Sequence, residues 1–290
     1  MGLRLKFNMV LILVFALGLV ASGYVSKRIL EANAQEEVTR NAELMMGAAL
    51  AVRGYTSKQV KPQLKLQLMR AFLPQSVPAY AATEMFNTLR QQHPEYTYKE
   101  ATLNPTNPRD RAVEWEADIV QQFRNDSNRT EIRGTRDTPT GRALYLAKPL
   151  KITDPGCIPC HDTPDTAPKS MVAHYGTANG FGWKLGETVG AQIISVPMSV
   201  PLTKADQAFR TFMTSLVGVF LLAFIVLNVV LSILVIRPIV RMSRAADEVS
   251  TGNFDVPEFS VGSRDEIGVL ATSFNRLRRS LEKAMKLLEQ

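Results

Sequence analysis

The run Cys157-Ile158-Pro159-Cys160-His161 holds both cysteines of the 290-residue chain and one of its three histidines. Two thiols separated by two residues and followed at once by an imidazole suit one chemistry well. The thiols add across the vinyl groups of a porphyrin to give thioethers, and the imidazole is left beneath the iron as proximal ligand. Three other chemistries use these residue types. A structural disulfide leaves His161 without a role, and two intervening residues are poor spacing for a staple. Zinc needs a fourth ligand, and Cys157, Cys160 and His161 form a cramped row with no second pair elsewhere. A thioredoxin-like pair belongs at a helix N-terminus after a strand of a βαβ unit, which this stretch does not resemble. The expected cofactor is therefore one covalent haem c.

Two apolar stretches, residues 7–25 and 212–236, flank the motif-bearing part of the chain. Each is long enough to cross a hydrocarbon core as a helix rising about 1.5 Å per residue. Asn8 and Asn228 are their polar intrusions; Asn228 either hydrogen-bonds across a helix pair or is a tolerated amide. A cleaved signal peptide is the competing reading of the first stretch, with Ala32-Asn33-Ala34 as the cleavage site. That site lies beyond Lys27, Arg28 and Glu31, too far past the apolar run, so an uncleaved anchor is expected. Haem c is attached outside the bacterial cytoplasm, which places residues 28–208 on the outer side of the inner (cell) membrane. Arg237, Arg241 and Arg244 then fall inside, although Lys27, Arg28, Lys204 and Arg210 weaken the charge signal. The formal charge of +7 does not point to nucleic acid, because the basic residues are scattered and none clusters with aromatics.

Between the spans the pattern is mixed. Residues 28–92 read as helix, with Leu44, Ala48, Ala51 and Tyr55 at helical spacing and Pro62, Pro74 and Pro78 breaking the run. Strands are expected at 96–103, 130–136, 142–152 and 188–198, with a helix at 110–124. Helices first and strands afterwards predict an α+β fold with a mainly antiparallel sheet.

The succession Tyr98-Lys99-Glu100-Ala101, Asn104-Pro105, Asn107-Pro108, Glu114-Trp115-Glu116, Leu146-Ala147-Lys148-Pro149, the haem motif, Tyr175-Gly176, Asn179-Gly180-Phe181-Gly182-Trp183-Lys184 and Val189-Gly190-Ala191-Gln192 closely resembles extracytoplasmic haem-c sensor domains with a PAS-like fold. The resemblance covers residues 28–200. It implies one haem held against a sheet and a long N-terminal helix, with a sixth iron ligand that some members supply from that helix as cysteine or methionine. This chain has no third cysteine, and Met46 best fits the helix pattern counted back from Arg53 and Tyr55. If Met46 faces the iron, Arg53 lies two turns on along the same face, where it would pair with a haem propionate. Met45, His174, His93, water or a vacancy are the other readings, and a methionine on an apolar helix face is commonly core filler. Phe181 and Trp183 either wall the haem or simply pack.

After the second span, Ile239, Met242, Ala246 and Val249 recur at heptad spacing. The pattern resumes at Ile267, Leu270, Phe274, Leu277, Leu281, Ala284 and Leu288. With Pro238 at the membrane exit, Gly252-Asn253-Phe254 and Asp265-Glu266-Ile267-Gly268, residues 237–288 resemble a HAMP linker domain. That resemblance implies an all-α parallel four-helix bundle across a homodimer, formed through the HAMP segment and the spans. Glu266 also suits a helix N-terminus. The sequence stops at Gln290, so the expectation is a separate cytoplasmic signalling protein as output. A membrane-anchored electron carrier with a redox partner is the alternative. No catalytic role is expected, since the three histidines offer no convincing distal acid–base set.

Overall fold

The computed structural model describes residues 2–139, 141–259 and 265–288, the side chain of Leu288 excepted. It divides into two compact units, Lys27–Ala208 and Met1–Ser26 together with Phe209–Gln290. Helix α1 (Leu3–Tyr55) carries the first apolar stretch and continues without a break into the polar part of the chain. Beyond the apolar stretch it buries Val38, Ala42, Met46 and Ala49, whose mostly small side chains let the backbone approach the sheet. The stripe legible in the sequence predicts the helix but not its buried face: Leu44 and Tyr55 are 66% and 57% exposed. The helix runs into a π turn at Thr56–Val60, where the Thr56 hydroxyl donates to the Val52 carbonyl at 2.8 Å. Pro62 and Pro78 open the short α2 (Lys61–Gln63) and α4 (Pro78–Leu89), positions where a missing N–H costs little; α3 (Lys65–Leu68) lies between them.

The strands are β1 (Thr97–Thr102), β2 (Ile132–Thr138), β3 (Gly141–Lys151) and β4 (Thr188–Pro197), in the antiparallel order β1-β4-β3-β2. Between them lie α5 (Glu114–Asn125), α6 (Ile158–His161) and α7 (Lys169–Tyr175). Helix α5 starts later than the sequence pattern suggests, because Pro108–Asp110 form a 3-10 turn. The Glu116 carboxylate then accepts the Val113 N–H at 2.9 Å and fixes the start. The mixed α+β class expected from the sequence is thus observed.

Side-chain alternation gives the sheet two apolar faces. Tyr98, Leu146, Ile194 and Val196 pack against α1 and α4, with Phe86 stacked on Tyr98 at 4.8 Å. Ala101, Ala147, Ala191 and Ile193 pack against Ile119, Val120 and Phe123 of α5. On the first face the apolar core gives way to a polar layer. Glu100, only 2% exposed, is paired with Arg53 at the end of α1 and accepts the Tyr98 hydroxyl at 2.6 Å, while Gln192 lies opposite it in register. Burial and the neighbouring Glu100 carboxylate push the Tyr98 phenol far up. Burial alone would lower the Arg53 guanidinium, and the charges and hydrogen bonds of Glu100 and Tyr98 together more than reverse this.

Helix α8 (Ser199–Leu231) begins in this unit and continues into the other, carrying most of the second apolar stretch. Among the described residues, this helix and α1 are the two that are long and apolar enough to cross a membrane. Phe15 and Phe220 stack at 4.8 Å. A π turn at Ser232–Ile236 precedes α9 (Arg237–Ser250) and lets the helix pass Pro238, whose ring would otherwise meet the carbonyl one turn back. The connector folds over α9 and α10 (Glu266–Leu288), with Val256 packed on Ala245 and Val249. Asn275 holds the Phe259 N–H and C=O at 3.0 and 2.9 Å, and Arg278 bonds the Val256 carbonyl. Leu270, Leu277 and Leu281 of the expected seam stay exposed in the single chain.

Removing one partner of a buried ion pair leaves the other charge uncompensated. Glu100→Ala is expected to destabilise the unit Lys27–Ala208 by about 3 kcal/mol, somewhat less than a fully buried pair because Arg53 keeps some solvent contact. Denaturant unfolding followed by tryptophan fluorescence measures the loss.

Candidate haem site

Strand β3 ends at Lys151, and Asp154 caps the following turn by accepting the Gly156 N–H at 2.8 Å. Cys157 precedes α6, so Cys157, Cys160 and His161 fall at i, i+3 and i+4, on one face of a helical turn. Both thiols are free and half-buried. Burial pushes both up; Asp154 reinforces this at Cys157, while Lys61 and Arg53 oppose it there and Lys61 opposes it at Cys160.

The imidazole is held from three sides. His161 Nδ1 lies 2.7 Å from the Gly180 carbonyl oxygen and 3.4 Å from Thr106 Oγ1. A carbonyl only accepts, so Nδ1 carries the proton and Nε2 is left bare. The Trp183 ring stacks on the imidazole at 3.8 Å, nearly parallel. Burial lowers the His161 pKa and the Gly180 carbonyl opposes this, so the neutral ligand form prevails near pH 7.

The loop that supplies these contacts is itself fastened. Gly182 N–H donates to the Asp162 carbonyl at 2.7 Å and Trp183 N–H to the His161 carbonyl at 3.1 Å. Asn104, just past β1, accepts the Gly180 N–H at 3.0 Å and donates to the Phe181 carbonyl at 3.1 Å. Gly180 has φ +87°, and a Cβ there would come within 2.1 Å of Thr106 Oγ1. Only glycine fits both the backbone angle and the approach.

This donor set fits a c-type haem. Two thiols and an imidazole share a face, Nε2 is bare, and Nδ1 makes the outer hydrogen bond that orients a metal-bound histidine. Among the described residues no three His, Cys, Asp or Glu side chains converge on one point. Zinc needs such convergence, whereas a porphyrin spans the thiols and the iron.

The other residues singled out in the sequence have surroundings of their own. Met46 is 1% exposed in the core beside Phe86 and Tyr98, and Met45 packs against the same cluster, as core-filling thioethers do. Arg53, expected to meet a propionate, is paired with Glu100, and its charge also reaches the Cys157 thiol. His174 sits exposed on α7, edge-on to Tyr175 at 4.5 Å. His93 faces Glu95 at 3.8 Å and Tyr96. Thr106, and the use made of Asn104 and Gly180, are not visible in the sequence: Thr106 and Asn104 meet partners 55 to 77 residues away, and only the family resemblance draws attention to those loops.

Gly180→Ala should lower the melting temperature of the unit Lys27–Ala208 sharply and release the His161 ring. Gly182→Ala, with φ +77° but open space around its Cβ, should cost only about 1–2 kcal/mol of backbone strain. Thermal unfolding of the two variants side by side checks the difference.

Residues 31–197 match the Tll0287-like family and residues 230–283 the HAMP domain. Among curated proteins, the heme sensor protein HssS of Staphylococcus saprophyticus is 33% identical over 88 residues, 30% of this chain and 19% of the relative. The sensor histidine kinase WalK of Bacillus subtilis is 31% identical over 122 residues, 42% of this chain and 20% of the relative. The chain thus spans about a fifth of the length of these relatives. The crystal structure of the cyanobacterial heme-protein Tll0287 aligns over 57% of this chain and 91% of that one, with 14% identity and a TM-score of 0.38. A haem-protein family domain, two candidate spans and a HAMP domain make up a membrane-anchored sensor arrangement, and with more than half of its length matched the chain belongs to the Tll0287-like family.

Proposed function

We propose that this chain is a membrane-anchored haem-c redox or gas sensor, with one haem attached through Cys157 and Cys160 and ligated by His161, that relays the haem state through a HAMP dimer to a separate output protein. The observation that carries the reading is the shared face of the two thiols and the imidazole, with Nδ1 engaged and Nε2 bare. The haem supplies a one-electron iron couple and a site for an added ligand. The chain's own residues orient the imidazole, enclose it beneath Trp183, and join the sheet to α1 through Glu100 and Arg53.

The relay reading rests on the continuity of α1 from the apolar stretch to Tyr55 and of the helical path from Ser199 to Ser250. A helix that shifts in the outer unit biases a bundle with two near-degenerate packings by no more than the differential stabilisation of the haem states. The exposed Leu270, Leu277 and Leu281 support a second copy of the chain as the bundle partner. The haem-c chemistry favours an outer location for Lys27–Ala208 and the inner membrane of a bacterium as the site. Met46, buried in the core, remains the thioether of α1 most worth removing.

Leu277→Cys, treated with a bismaleimide in membrane vesicles, is expected to cross-link between copies to a different extent in the ferric and ferrous states. Equal cross-linking in both states overturns the relay and favours a membrane-anchored electron carrier. Adding carbon monoxide to the ferrous protein separates the two kinds of sensor: a changed haem spectrum means an open or displaceable sixth position and gas sensing, an unchanged one a closed axial pair and redox sensing. A Met46→Ala variant with the parent spectrum in both oxidation states removes Met46 from the axial set.

A further inference from the structure

We infer that Asn104 is a positioning residue for the proximal imidazole: by holding the loop around Gly180 it sets the hydrogen bond to His161 Nδ1 and, with Thr106 as a second acceptor, tunes the reduction potential of the iron. This rests on the haem-c reading above.

The argument starts from the backbone. The Gly180 carbonyl lies between the Gly180 N–H and the Phe181 carbonyl, and the Asn104 amide bonds both of these, at 3.0 and 3.1 Å. One side chain therefore fixes the peptide whose oxygen meets His161 Nδ1 at 2.7 Å. Intrinsic stiffness does not do this, because Gly180 and Gly182 both have positive φ and are the least restricted residues available. The bonds from Gly182 and Trp183 to the Asp162 and His161 carbonyls hold only the far side of the loop. On the near side, Thr106 Oγ1 lies 3.4 Å from the same Nδ1, two residues beyond Asn104 in the same segment. Asn104 and Thr106 thus reach the imidazole's outer nitrogen together, one through Gly180 and one directly.

The consequence for a bound iron is electronic. An imidazole that donates a stronger hydrogen bond from Nδ1 takes on more anionic character, becomes a stronger donor through Nε2, and stabilises the ferric state. Loosening the acceptor weakens that effect and raises the potential. The effect has a direction that a merely structural role for Asn104 does not produce.

The test is a spectroelectrochemical titration of the full chain in detergent, with thermal unfolding in parallel. At an applied potential where the parent is half reduced, Asn104→Ala is expected to be several-fold in favour of ferrous iron. Thr106→Val should shift the same way by less, and Thr106→Ser, which keeps the hydroxyl, should match the parent. Asn104→Ala and Thr106→Val that both titrate with the parent, even at a lower melting temperature, overturn the inference while leaving covalent haem in place. If Asn104→Ala fails to fold, the Thr106→Val and Thr106→Ser pair decides alone, and a parental potential for Thr106→Val overturns it. A parent chain without covalent haem overturns the underlying reading and this inference with it.

Discussion

The hydrogen bond from His161 Nδ1 to the Gly180 carbonyl is the contact on which the site depends. It selects the tautomer, turns Nε2 away from the loop, and ties α6 to a segment far along the chain. The surrounding features follow from it. Gly180 must be glycine because the carbonyl reaches the ring only at positive φ and against Thr106. Asn104 must stand at the end of β1, and Trp183 must pair with the His161 backbone to lie flat on its ring. The Cys-x-x-Cys-His run supplies the reactive groups, and the loops after β1 and before β4 supply their orientation.

The sheet links this end of the haem-site unit to the long helix. One face carries an apolar core that ends in the Arg53–Glu100–Tyr98 layer, and Asn104 lies only a few residues further along the same chain segment as Glu100. A buried carboxylate paired with the last turn of α1 is costly to separate and directional when intact. It joins the strand beside the imidazole-holding loop to the helix that carries the first apolar stretch. Arg53 therefore contributes to the architecture through its pairing with Glu100 on the sheet.

Much of this was legible in the sequence, for identifiable reasons. Local chemistry announced the Cys157, Cys160 and His161 turn, and alternation announced all four strands to within a few residues. Periodicity gave α1 but pointed to Leu44 and Tyr55, which face outward, because the buried face uses alanines whose low hydrophobicity makes a weak signal. Pro62 and Pro78 looked like breaks and act as openings, since proline is tolerated in a first helical turn. The contacts of Asn104, Thr106 and Gly180 were hidden because each joins segments brought together only by the sheet. Met46 has the right helix face for the core, and its placement there follows from packing that no spacing rule reveals.

The central claim is covalent haem on Cys157 and Cys160 with His161 beneath the iron, and alkaline pyridine spectra of the purified full chain test it most directly. The account predicts the band position of a haem whose two vinyl groups are both saturated, pigment that resists acid–ketone extraction, and a shift to an intermediate position in Cys157→Ala and Cys160→Ala alike. Haem that extracts freely, or a parent band that neither substitution moves, contradicts it.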